Sequence, residues 1–364
     1  MNKIMSLKKI AALFIIFIIT FTIPSVGKLD SSITVGPYPQ SPGSDFISIL
    51  WETNVPTKEN SVHYGLTAEC SNVLYSNISN DFHEIKIDNL SSSKKYYYFV
   101  SSDEVESKLY SFYTLFDEDD EIRFIAYGDT RGVWDNWKNC TNVAEGIEKE
   151  KPFFVLHTGD IVNNGRKPNE WLDFFSASQF MHNSTLYPSL GNHEYYGEHY
   201  FKFFSLPNDE YWYSFDSGPV HFIALDSNIR NSLRISQIIW LIKDLRSNEK
   251  SFTIIFFHHP LYSSGNHGST FYLRLFWGPI FNFFDVDIIF NGHDNSYERG
   301  DVRNIYYIVT GGGGAPLYNI GNSWWTQYSE KSYHYCLLTA SQNKLTLVAK
   351  NPDGEIIDKF DIIR

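Results

Sequence analysis

Four continuous apolar runs in the later part of the chain end directly in residues able to ligate a cation. Phe124-Ile125-Ala126-Tyr127 leads into Gly128-Asp129, and Phe153-Phe154-Val155-Leu156 leads into His157-Thr158-Gly159-Asp160. Thr253-Ile254-Ile255-Phe256-Phe257 ends in His258-His259, and Ile288-Ile289-Phe290 ends in Asn291-Gly292-His293. A further segment, Tyr187-Pro188-Ser189-Leu190, runs into Gly191-Asn192-His193-Glu194. Unbroken runs of this length fit strands buried on both faces, as in sheets covered by helices. With helical stretches at Trp137 to Glu150 and Ser236 to Leu245 between them, they predict an α/β domain over residues 121–364. In open α/β sheets, ligands gather beyond the carboxyl ends of strands, so polar residues distant in sequence can converge there. Glycine before Asp129, Asp160, Asn192 and His293 suits a sharp exit from each strand.

Residues 30–116 have a different texture. Phe46-Ile47-Ser48-Ile49-Leu50-Trp51, Glu84-Ile85-Lys86-Ile87 and Tyr96-Tyr97-Tyr98-Phe99-Val100 are short segments broken by polar turns, with no helical period between them. Such spacing predicts a small β-sandwich. Leu90 and Tyr96 have the separation of a corner tyrosine that bonds back to upstream backbone. The charge run Asp117-Glu118-Asp119-Asp120-Glu121 reads as a solvated linker.

Each Gly-Asp pair alone is an ordinary turn signal. The ordered set is far more specific: two Gly-Asp exits, a Gly-Asn-His-Glu, a strand ending in His, then Gly-His followed by Tyr297-Glu298-Arg299. This set resembles the calcineurin-like metallophosphoesterases, and among them the purple-acid-phosphatase-related members that carry a fibronectin III-like sandwich in front. Gly36-Pro37-Tyr38 and Trp51-Glu52-Thr53-Asn54 carry the resemblance in the first domain. The implied fold is an N-terminal β-sandwich plus a four-layer αββα catalytic sandwich. The implied activity is a phosphomonoesterase in which metal-activated hydroxide attacks phosphorus in line. By position, Asp160 would bridge two divalent transition-metal ions (iron, manganese or zinc), Asp129 would bind the first, and Asn192, His258 and His293 would bind the second. Imidazole, amide oxygen and carboxylate are suitable donors for such ions. His193 and His267 would contact the substrate phosphate and protonate the leaving group, as a residue titrating near working pH can.

The first metal site departs from that pattern. Purple acid phosphatases place a tyrosine three residues after the bridging aspartate, where this chain has Asn163, and a second histidine where it has Asn295. Without that tyrosinate the protein is expected to be colourless. The Asn295 amide is a weaker ligand than imidazole, so the first ion would be held loosely. Arg131, two residues after Asp129, cannot ligate while charged, but its fork suits a phosphate oxygen or replaces charge lost with a weakly held ion. His259 beside a ligand suits outer support, His157, His221 and His334 read as core or surface residues, and Trp324-Trp325 as packing or a substrate rim. The alternatives are a phosphodiesterase or nucleotidase, and a catalytically dead binding or surface protein that keeps the fold.

Lys3, Lys8 and Lys9, the apolar run Ile10 to Ile23 and the small residues Ser25-Val26-Gly27 read as a secretory signal over residues 1–27, with an uncleaved anchor as the alternative. Either places the protein outside the cytoplasm, secreted or at the cell surface. Cleavage would leave 27 basic residues against 42 acidic ones, a net charge of −15 that argues against nucleic acid as a partner and leaves small phosphorylated substrates. Cys70, Cys140 and Cys336 form neither a disulfide framework nor a metal cluster, though one pair could bridge after export. Sequons begin at Asn77, Asn89, Asn139 and Asn183.

Overall fold

Alternating apolar residues in the first strands put one face of each sheet into a shared interior. The computed structural model describes residues 30–364 apart from Tyr195, Tyr196 and Asp209, so the leader expected over residues 1–27 lies outside the described residues. A three-stranded antiparallel sheet joins Ile33–Gln40, Phe46–Thr57 and Asn80–Asp88. A second sheet is built around Lys95–Ser102, which pairs with Asn60–Gly65 and Tyr110–Tyr113. Ile47, Ile49, Trp51, Ile85 and Ile87 from the first sheet pack against Val62, Tyr98, Val100 and Phe112 from the second. The Tyr96 hydroxyl accepts the backbone N–H of Ser91 at 2.9 Å and closes the sandwich corner.

From Ile122 onward two larger sheets pack face to face. The six-stranded sheet centres on parallel neighbours Thr185–Pro188, Phe154–His157 and Ile122–Tyr127, extended by the antiparallel C-terminal strands. The seven-stranded sheet has the parallel run Val220–Ala224, Phe252–Phe256, Ile288–Asn291 and Ile305–Thr310. Alternate residues of the second sheet face opposite ways. Phe222, Ile254, Phe256 and Phe290 meet the first sheet, while Ile223, Ile255 and Ile289 meet Leu241 and Leu245 of the helix Ile235–Ser247. Val143 and Ile147 of the helix Lys138–Glu150 join the core on the other side. Both faces of each central strand are therefore buried, which explains the unbroken apolar runs in the sequence.

The sandwich is attached by more than its linker. Val35, Tyr38 and Leu50 belong to the same buried cluster as the central strands. The Tyr38 hydroxyl donates to the Phe203 carbonyl at 2.7 Å, and the Tyr98 hydroxyl to the His182 carbonyl at 2.7 Å. All three cysteines are buried and unbonded to one another.

Candidate metal centre

The parallel register sets the ends of neighbouring strands level: His157 pairs with Tyr127 and Pro188, and Asn291 with Val309. Hydrogen bonding continues past the strand ends, with Asp129 N–H on the Gly159 carbonyl and Gly292 N–H on the His258 carbonyl. The His293 N–H also donates to Asp129 Oδ2 at 2.9 Å, so the polar exits of both sheets share one rim.

The glycines work differently from the sequence expectation. Only Gly159 of the four takes a positive φ, at 91°; the left-handed turns are instead made by Asp129, Asp160 and His293 themselves, at φ 58°, 56° and 69°. Short polar side chains tolerate this region better than most, and such strain gathers at functional sites. Elsewhere glycine provides room: a Cβ on Gly191 would lie 2.2 Å from Asp160 N, and one on Gly292 2.3 Å from Asp129 Oδ2.

His258 is the hub of the site and is fully buried. Its Nδ1 lies 3.0 Å from the Thr158 carbonyl, which can only accept, so that nitrogen carries a proton. Nε2 faces Asn192 Oδ1 at 3.0 Å, His293 Nδ1 at 3.1 Å and Asp160 Oδ1 at 3.4 Å. A neutral imidazole would turn its Nε2 lone pair toward the oxygens of Asn192 and Asp160, an arrangement that a cation relieves, either a proton on Nε2 or a metal ion beside it. Burial opposes charge on His258, yet Asp160, with Asp129 and Glu194, holds its pKa up at about 9. The spacings of 3.0, 3.1 and 3.4 Å from His258 Nε2 are of the size found between donors on one ion, whose ligand atoms stand about 3.4 Å apart for bonds of about 2.1 Å. Two sets of ligand atoms lie within 4.8 Å of one another, Asp129 with Asp160 and His258, and His258 with His259 and His293; both share His258, so donors suited to a divalent transition metal gather around that ring. The Thr158 carbonyl would orient the His258 ring in the way metal-bound histidines are usually held.

The neighbouring half of the centre is arranged around Arg131, which is only 5% exposed. Its Nε lies 3.4 Å from Asp160 Oδ2, and its Nη2 lies 3.7 Å from Asp129 Oδ1 and 3.3 Å from Asn295 Oδ1. Nη1 donates to His193 Nε2 at 2.8 Å, while His193 Nδ1 donates to the Asn163 carbonyl at 2.7 Å. Burial and the charge on Asp160 act on Asp129 in the same sense and raise its pKa to about 7, against the pull of His258 and Arg131. Burial acts the same way on Asp160, but His258, Arg131 and His193 outweigh it and hold its pKa well below the usual range.

His267 stands beside this cluster, its ring 4.2 Å from that of His293 and 5.3 Å from that of Tyr318. His259 bonds Ser227 through Nδ1 at 2.9 Å, and its ring lies 4.6 Å from His293. His157 is buried behind the centre, where its Nδ1 accepts the Gly159 N–H at 3.1 Å; His334 is buried, and His221 is clamped between Asp216 and Asp244. Trp324 is 75% exposed and its ring meets Tyr262 and Trp325.

Several contributors were given no role by the sequence. Glu194 is buried and accepts N–H bonds from Gly191 at 2.6 Å, Asp160 at 3.0 Å and Ile161 at 2.8 Å, tying two ligand loops together. Asp294 accepts from His267 N–H at 2.7 Å and from Gly268 N–H at 3.1 Å, and Glu298 accepts from Ser264 N–H at 2.7 Å. Those bonds hold the loop that presents His267. Glu194, Asp294 and Glu298 sit inside the sequence motifs, so their positions were visible and their partners were not. Tyr318, whose phenol acts on the Arg131 guanidinium, follows a glycine run and had no such marker.

Residues 122–297 match the family described as calcineurin-like phosphoesterase. The chain carries a calcineurin-like phosphoesterase domain. The chain is 26% identical over 302 residues to acid phosphatase type 7 of Mus musculus, covering 66% of this chain and 67% of that protein. It is 26% identical over 341 residues to Fe(3+)-Zn(2+) purple acid phosphatase 12 of Arabidopsis thaliana, covering 80% and 72%. The match to phosphoenolpyruvate phosphatase of Allium cepa, 25% identical and covering 72% of this chain, spans 60% of that relative's length. In fold, the chain superposes on purple acid phosphatase PPD1 from yellow lupin (Lupinus luteus) seeds with a TM-score of 0.77 at 19% identity, covering 90% of this chain and 74% of that one. The strand-rich front and the α/β metallophosphoesterase domain thus recur together in a solved phosphatase.

Proposed function

We propose that this protein is an exported metal-dependent phosphoesterase acting on small phosphate monoesters. The observation that carries the reading is the gathering of Asp160, Asn192 and His293 around His258 Nε2, with Asp129, Asp160 and His258 offering ligand atoms within 4.8 Å of one another. The phosphatase relatives support the monoester class, and the basic, apolar, small-residue order of residues 1–27 supports export.

A divalent ion held there would supply Lewis-acid polarisation and a water of lowered pKa at the rim. The chain's own groups account for the rest. Arg131 keeps a fixed positive charge where phosphate oxygens would arrive, and its buried ion pairs pre-orient the guanidinium. His193 takes an Arg131 N–H on Nε2, so in this arrangement it serves as an orienting acceptor for that cation. His267, carried on a loop that Asp294 and Glu298 restrain, is the residue we assign to protonating the leaving alkoxide.

The deciding measurement is hydrolysis of an aryl phosphate monoester and of the corresponding diester by protein loaded with manganese, zinc or iron, with and without chelator. Monoester turnover that chelation abolishes supports the proposal; preferential diester turnover would move it to the phosphodiesterase class. A second reading, a binding protein that retains the fold, is favoured by the arginine lying where a further ion would be expected. Metal binding without turnover at any pH would establish it.

A further inference from the structure

We propose that Arg131 is the resident cation of the first half of the centre, so that the chain takes one divalent ion where the family resemblance implies two. This rests on reading the His258 cluster as a metal site. The oxygens that remain for a first ion are Asp129 Oδ1, Asp160 Oδ2 and Asn295 Oδ1, and all three lie around the same guanidinium, at 3.7, 3.4 and 3.3 Å from its nearest nitrogens. A metal ion needs such oxygens at about 2.1 Å around one point. A planar cation already set among them leaves no such point. The residues present do not fit a first ion.

Electrostatics lead to the same conclusion. Arginine stays charged at any pH a protein survives, so it cannot give way by losing a proton. Two divalent ions together with Arg131 would place five positive charges against the two carboxylates Asp129 and Asp160. One ion with Arg131 leaves three, near the balance that an incoming phosphate can complete. Displacing the side chain would forfeit its bonds to His193 and Asn295, its two buried ion pairs and its position 5.7 Å from the Trp134 ring.

The departures in the sequence now form one coherent change. Asn163 supplies no tyrosinate, and its backbone carbonyl accepts from His193 Nδ1 at 2.7 Å. Asn295 turns its amide oxygen to Arg131 and its Nδ2 to the Pro316 carbonyl at 2.9 Å. Every altered position belongs to the first ion, whereas Asn192, His258 and His293 are all in place. Changing Asn295 to histidine alone therefore does not restore a second ion, because the guanidinium still fills the space.

The test is a count of bound Mn(II) or Zn(II) per chain, by equilibrium dialysis with elemental analysis, together with the paramagnetic resonance of the Mn(II) form. One ion per chain, giving the spectrum of an isolated Mn(II), is expected for the wild type and for Asn295→His. Two ions with a spin-interacting spectrum are expected only for the double variant Arg131→Ala, Asn295→His. Two ions in the wild type or in Asn295→His would overturn the inference and leave the metal-centre reading standing. No bound ion in folded wild-type protein would overturn the metal-centre reading itself, and the one-ion count with it. Should the double variant fail to fold, the wild-type count and spectrum still decide.

Discussion

At the scale of single residues, the centre depends on groups with no substitute within reach. Asp160 touches His258, the His193 backbone and Arg131 together. Asp160→Asn keeps the shape and removes the charge that stabilises every neighbouring cation. Loss of an outer partner of a metal ligand already lowers affinity or activity about 10- to 100-fold. Asp160→Asn is therefore expected to lower metal affinity by at least about 100-fold, measured by competition with a chelating dye. Glu194→Gln is milder in chemistry and larger in packing consequence. One end of the amide would point N–H groups at backbone N–H donors, leaving buried donors unpaired at about 1–3 kcal/mol. Denaturant unfolding should show that loss, and metal affinity should fall in parallel.

Elements act by how closely they approach one another. The Gly191 turn passes against the Asp160 turn, and a Cβ there would meet Asp160 N at 2.2 Å and Asp160 Oδ1 at 2.3 Å, backbone and ligand that cannot both retreat. Gly191→Ala is expected to cost about 1–3 kcal/mol by overpacking, with lost metal binding as its companion. Away from the centre, His221 joins the strand Tyr213–Ser217 and the helix Ile235–Ser247 to its own strand, with Asp216 at 2.6 Å and Asp244 at 2.8 Å. Burial lowers its pKa, but the two carboxylates outweigh that and raise it to about 9. A folded-state pKa above the unfolded value of about 6.5 gives stability that is full below pH 6.5 and lost as pH rises through 9. After discounting for the exposed Asp216 side, the contribution is about 2 kcal/mol. The wild type should therefore lose Tm relative to His221→Gln between pH 6 and pH 10, and parallel curves would refute the assignment.

For the whole molecule, the first sandwich and the catalytic sheets share one interior. Val35, Tyr38 and Leu50 pack into the cluster of Phe124, Phe154 and Phe222, and Tyr38 also bonds the Phe203 carbonyl. A linker alone would permit independent unfolding, whereas a continuous core couples the two parts. One calorimetric transition is expected for residues 31–364, and Tyr38→Ala should lower it as a unit by about 3–5 kcal/mol. Two separated transitions would show that the shared packing carries little energy. Strand runs, their order and the ligand candidates at their ends were legible in the sequence, because burial on both faces writes itself as unbroken apolar runs and strand exits need particular residue types. The sequence also marked Asn163, Asn295 and Arg131 as departures. It could not show that they meet: Arg131 and Asn295 are 164 positions apart, and the Thr158, Asn163 and Pro316 carbonyls that orient the site have no side-chain signature. Local residue type determined which groups could bind a cation; the three-dimensional packing decided which of those groups meet one another and which meet Arg131, because charge and distance act through space rather than along the chain.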